Sequence, residues 1–256
     1  MSHRDLFRSA CVIALALVGS AWIATTAYSQ AKAKDHEQSL NSTGSAERVI
    51  TSDVAKWTVS ISRTANPQEL RQVSEGLQHD LDAVKAQIKS HGLDDATLTV
   101  QPATINVICD AGTGTYDARG QAVCGAGKMS GYALQQLITI ESKNVEATQK
   151  ATQDIPGALV NQGVIFTSVT LEYYYSKLSD VKMELLAEAT KNAQARAKVI
   201  AEGAGATIGS LLDASAGVFQ VTSINSTDIS DYGTYDTTAV QKKVTSVVRA
   251  SFRLMP

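Results

Sequence analysis

Residues 185–205, "LLAEATKNAQARAKVIAEGAG", hold nine alanines and glycines in 21 positions. A helix with so little side-chain volume cannot fill a deep core, so it must approach its neighbour closely. At 100° per residue, Leu178, Leu185, Leu186, Ala189, Ala193, Ala197, Ile200 and Ala204 share one broad face. Glu184, Glu188, Lys191, Lys198 and Glu202 share the other, where Glu188–Lys191 and Lys198–Glu202 support the solvent side. Alanine also has the highest helix propensity. The pattern predicts a helix over about 179–204 lying low on a sheet; a helix–helix contact between subunits is the other use of such a face. Arg196 falls near the apolar face and is expected to snorkel. Gly205 and Gly209 end the segment.

The rest of the chain alternates strands with two further helices. "VAKWTVSIS" puts Ala55, Trp57, Val59 and Ile61 on one face of a half-buried strand. Asn66, Pro67 and Glu69 predict a helix start, with Asn66 as cap and Glu69 completing a capping box. Leu70, Val73, Leu77, Leu81, Val84 and Ile88 then form an apolar stripe, and Gly92 stops it. Pro102 lies inside "TLTVQPATINVIC" and withholds a ladder donor, which predicts an edge strand or a bulge. Strands are expected at 132–140, 164–175 and 211–223, and a weaker helix at 144–161. Residues 225–242 read as a polar, turn-rich loop, before the closing strand "KVTSVVRASFRL". The fold class is α+β, with antiparallel sheets packed against long helices. The order strand, helix, strand, loop, strand at 53–141 and 164–255 raises an internal duplication of a β-α-β-β unit.

The N-terminus bears on compartment. Arg4 and Arg8 precede the apolar stretch Ala10–Ala24, and small residues follow to Ala27 and Ala31. A charged start, an apolar middle and a small-residue exit make an export signal. With Trp22 and Tyr28 at its end, the stretch comes near the spanning length of ~20 residues. Residues 1–31 are therefore either a cleaved signal or a retained membrane anchor, followed by a polar tether at 32–39 and one domain at 40–256. Cys11 lies inside this segment and leaves Cys109 and Cys124 as a pair. In an extracytoplasmic protein such a pair is expected as a disulfide, worth about 3 kcal/mol on the chain-entropy account.

Reaction chemistry is sparse. The four histidines form no zinc motif, no C-x-x-C occurs, and no G-x-S-x-G elbow carries a serine nucleophile. His79, beside Asp80, reads as a solvated helix face. "GAGKM" at 125–129 lacks the first glycine and the Ser/Thr of a phosphate loop. No metal or cofactor is expected, and Asp228, Asp231 and Asp236 read as a solvated acidic loop. A net charge of −2 with no basic run argues against nucleic acid. Tyr173–Tyr175 end a strand, where they serve alternate burial or an apolar or sugar-binding surface.

Three segments carry a resemblance. "STGSAERVITSDVAKWTVSIS", with its Gly, acidic residue and Asp-x-Ala before a strand, resembles the opening of bacterial SIMPL-domain (DUF541) proteins. "LLAEATKNAQARAKVIAEGAGATIGSLLDASAGVFQVT" is similar to the family's Ala-rich helix, Gly turn and strand, and "VVRASFRL" to its closing strand. The likeness covers about 40–256, except for the insertion at 109–127 with its cysteine pair. It implies an α+β envelope protein facing the periplasm, in a family where some members form ring-like oligomers and some are linked to oxidative or envelope stress. It supplies no catalytic residue. The leading expectation is a non-enzymatic, self-associating periplasmic or envelope protein that meets the membrane only through an uncleaved N-terminal segment. The alternative is a ligand-binding module using loops 110–127 and 225–242, with Tyr116, Tyr232 and Tyr235 as contacts.

Overall fold

The structure, a computed structural model, describes residues 38–94 and 96–256. The export segment with Cys11, most of the tether, His3 and His36 lie outside the described residues. The chain forms two compact units. Among the described residues, one comprises 38–46, Glu184–Val218 and Ser246–Pro256; the other comprises Glu47–Met183 and Phe219–Thr245.

The larger unit is built on an antiparallel sheet of β2 (Val54–Ala65), β3 (Thr97–Val100), β4 (Thr104–Cys109), β7 (Met129–Ser142) and β8 (Ile165–Tyr174). The order is β3-β7-β2-β8, with β4 also paired to β7. Alternation decides its faces. Trp57, Val59, Ile61, Ile138 and Ile140 point inward and are fully buried. They pack against helix α1 (Leu70–Ser90) through Leu77, Leu81, Val84 and Ile88, and against α2 (Val145–Asn161) through Ala151, Ile155 and Leu159. Each such aliphatic side chain contributes roughly 1.5–3 kcal/mol on burial. Trp57 keeps its indole N–H satisfied by donating to Ser168 Oγ at 2.8 Å and meets Phe166 edge-on at 5.7 Å.

Pro102 acts as expected: the chain breaks between β3 and β4, and both lie at the sheet edge on β7. The start of α1 differs from expectation. Asn66–Glu69 close a turn in which Glu69 N–H donates to Asn66 O, and the helix begins at Leu70 without a side-chain cap. Asn66 is spent on that turn, its amide reaching the Glu69 carboxylate at 3.2 Å, so it caps nothing. The solvated face expected around His79 also divides. His79 is exposed, whereas Asp80 is buried and takes a bidentate pair from Arg63 of β2, at 2.5 and 2.7 Å. The same unit holds the hairpin of β5 (Gly114–Tyr116) and β6 (Ala122–Cys124). It also holds β10 (Gln220–Ser223), which runs parallel to β11 (Thr234–Tyr235) and antiparallel to the first residues of β12 (Gln241–Met255).

The smaller unit places α3 (Leu178–Gly203), from Glu184 on, against β1 (Ser39–Thr51), β9 (Thr207–Ala216) and the later part of β12. The buried positions of α3 there are Leu185, Ala189, Ala193, Ala197 and Ala201, a stripe stepping by four. Ile200, expected on that face, is 52% exposed, and Ala204 is exposed as well. The buried stripe is narrower than 100° periodicity alone suggested. Ala193 and Ala197 pack with Ala250 and Phe252 of β12, flanked by Leu40 and Ile208. Gly44 of β1 explains the small residues: a Cβ there would overlap the backbone of Ala189 and Ala193. Helix and strand touch main chain to main chain. Polar bonds tie the contact, with Ser45 N–H donating to Asn192 Oδ1 and Arg196 to Thr43 O, at 3.2 and 3.1 Å. Arg196 thus snorkels along the strand. The expected strand at 211–223 is two strands, β9 and β10, broken at 217–219. Element order alone does not show a β-α-β-β duplication.

Candidate functional site

In the larger unit, the disulfide forms between Cys109, ending β4, and Cys124, ending β6, with Cα atoms 5.2 Å apart. It closes the inserted segment into a hairpin whose turn is held by Asp117, which accepts from Arg119 N–H and Gln121 N–H. Tyr116 stands on this hairpin, 80% exposed. Tyr232 is 97% exposed in the second loop. Tyr235 has a different setting: it lies on β11 and tilts against Tyr174 of β8, ring centres 6.3 Å apart. The structure therefore brings one of the three expected contact residues to a strand-borne aromatic and leaves the other two in solvent.

The loop at 225–242 is more ordered than its composition suggested. Asp236 accepts hydrogen bonds from Thr238 N–H, Thr238 Oγ1 and Ala239 N–H. Burial acts to raise its carboxyl, but those bonds and the nearby Lys242 charge outweigh it and hold it below the usual carboxylate range. Lys242 is 1% exposed and donates to Ala239 O. Burial lowers its pKa, and Asp236 partly offsets this. Asp236 is thus committed to loop closure. Asp228 accepts from Ser226 Oγ at 3.0 Å. No group of three or more His, Cys, Asp or Glu among the described residues is arranged to hold a metal.

The outward face of the β3-β7-β2-β8 sheet was not singled out from sequence. Cross-strand register sets its residues in rows. Thr99, Thr139, Thr58 and Thr170 form a row one threonine per strand, with the Thr58 and Thr139 hydroxyls 3.5 Å apart. The neighbouring row along the strands reads Thr97, Glu141, Lys56 and Glu172. Beyond it stands Tyr174, whose hydroxyl bonds Glu172 and feels Glu141. Burial first, then Glu172, raises the Tyr174 phenol, and burial raises that of Tyr235. On the other side of the threonines, Gln135 donates to Ser60 Oγ at 2.8 Å. The signal for this face was present in the phase opposite to the apolar one on each strand.

The smaller unit offers a different surface. Val199 and Ile200 of α3 are 69% and 52% exposed beside Asn41 and Thr43 of β1, lining an apolar groove with a volume of about 580 Å³. Among the described residues β9 pairs with β12 alone, and Leu211, Leu212 and the adjoining Val218 are 50%, 39% and 45% exposed.

The sequence carries no G-x-S-x-G elbow, zinc motif or C-x-x-C. A search of curated proteins returned no match. The profile of a family described as "SIMPL: Protein of unknown function (DUF541)" matches residues 40–252, spanning the Gly44 crossing, both helical layers and the closing strand. The chain belongs to the SIMPL (DUF541) family.

Proposed function

We propose that this chain is a non-enzymatic protein of the bacterial periplasm or cell envelope that self-associates through its smaller unit. The observation that carries the assembly is the open outer edge of β9, together with its exposed Leu211, Leu212 and Val218. An unpaired strand edge presents free backbone donors and acceptors, and natural proteins normally cover or charge one. Only Asp213 charges this edge. The export-type N-terminus and the Cys109–Cys124 pair support the envelope location. A link to envelope or oxidative stress rests on family resemblance. Light scattering on protein purified from the envelope of cells expressing the full chain tests the assembly. A mass above the monomer is expected, and a strict monomer at high concentration removes it. N-terminal sequencing of the same sample separates a cleaved signal from a retained anchor.

A second reading is a ligand-binding module at loops 110–127 and 225–242. The 80% and 97% exposure of Tyr116 and Tyr232 favours it. Thermal-shift screening against metals, sugars and peptides would raise the melting temperature if it holds.

A further inference from the structure

We propose that the smaller unit rests on the bilayer that residues 1–31 enter, with anionic phospholipid headgroups seated over the groove between β1 and α3. The proposal rests on the retained-anchor reading of that segment. Three observations lead there. The first is reach. Asn41, on the wall of the groove, is ten residues on from Ala31, so at most about 36 Å of chain lies between them. Whatever its path, that chain holds the groove within about one bilayer thickness of the membrane. The second is surface chemistry. Val199 and Ile200 stand 69% and 52% exposed, and no carboxylate lines the groove among the described residues. The third is charge. From 191 to 202, α3 carries Lys191, Arg196 and Lys198 against one carboxylate, Glu202, which pairs with Lys198 at 3.8 Å. Residues 38–46, opposite them, carry no charge. Arg196 donates to Thr43 O from one N–H of a fork whose geometry also suits phosphate oxygens. Apolar side chains flanked by cations make an interfacial contact: hydrocarbon meets the acyl boundary while the cations reach the phosphates.

The same features disfavour a second copy as the occupant. A two-fold contact at this groove would bring Arg196 and Lys198 of one copy toward those of the other, like charge against like. The groove is also distinct from the assembly surface. β1 and β9 flank β12 on opposite edges, so a membrane contact at β1 leaves the edge of β9 open for pairing.

The test is fluorescence quenching in vesicles. The full chain with Cys11→Ser and Asn41→Cys takes an environment-sensitive dye at 41. It is reconstituted in phosphatidylcholine mixed with phosphatidylglycerol, or in phosphatidylcholine alone, each containing a lipid with a nitroxide on its headgroup. Quenching at 41 should be several-fold stronger in the anionic vesicles and should fall as salt is raised. Lys198→Gln and Arg196→Gln should each cut that preference about fivefold. Lys198 is exposed and gives up only its pair with Glu202, so the comparison survives if Arg196→Gln fails to fold. Val199→Ser/Ile200→Ser should weaken quenching in both lipids. A dye at Leu212→Cys on β9 should be quenched far less than one at 41. Equal quenching in the two lipids overturns the proposal, and so does equal quenching at 41 and 212. A dye at 41 that reports an apolar setting without lipid quenching also overturns it, and places a second copy or the chain's own apolar segment in the groove. N-terminal sequencing that shows residues 1–31 removed overturns it too, while leaving assembly through β9 standing.

Discussion

The two units solve the same problem, a helix on a sheet, with opposite materials. In the larger unit α1 and α2 stand off from the strands on Trp57, Ile61, Ile138 and Ile155, and volume fills the gap. In the smaller unit α3 has nothing larger than Leu185 on its buried stripe, and Gly44 lets the backbones meet. A core of large side chains holds its stability in atoms that can be removed. A core of glycine and alanine holds it in space that cannot be filled, because the neighbours are main chain and have no rotamer to change. The units should therefore fail under opposite kinds of substitution.

The largest effect is expected from Gly44→Val, whose added atoms would collide with the α3 backbone at Ala189 and Ala193. A loss beyond about 4 kcal/mol, or no soluble protein, should follow. Normal stability in denaturant unfolding would dissolve the contrast. Next comes Ile138→Ala, a truncation in the other core, expected to cost about 3 kcal/mol by the same measurement. Ala193→Leu should cost about 2–3 kcal/mol by overpacking, whereas Leu171→Ala, half-buried on the larger core, should cost less. If added and removed volume hurt both units equally, the distinction between them is lost.

The smallest effect is electrostatic and confined to the larger unit. The Asp236 carboxyl is held below its usual range in the folded protein, so its stabilisation is complete above the unfolded carboxylate value. It fades as the pH falls through the depressed folded value. Asp236→Asn should reduce stability at pH 7 by about 1 kcal/mol and flatten the acid limb of a melting-temperature profile. An unchanged acid limb would mean that the carboxylate is idle.

Much of this was written plainly in the chain. Period-two alternation marked β2 and β12, the apolar steps of α1 marked its buried face, and Pro102 marked the break between β3 and β4. Local signals sufficed because each of those elements has one neighbour chemistry, apolar inside and polar outside. Gly44 was legible only as part of a family motif, since its reason lies 145 residues away at Ala189. Asp80 hid for a similar reason: nothing around it on α1 announces Arg63, which arrives from strand β2. Lys242 could have been caught, because the alternation of Val244, Val248 and Ala250 extended backward lands on it. The threonine row depends on register across four strands, which no single segment encodes.

The smaller unit is assembled from three separate stretches of the described chain, 38–46, Glu184–Val218 and Ser246–Pro256. Ala250 and Phe252, which Ala193 and Ala197 grip, lie more than 50 residues further along the chain. A nascent polypeptide can settle most of its larger sheet early, but it cannot close this second body until β12 has been made. That order leaves the parts of the smaller unit open until β12 is in place, and it makes a frameshift or stop ahead of β12 as damaging to this unit as one near Gly44.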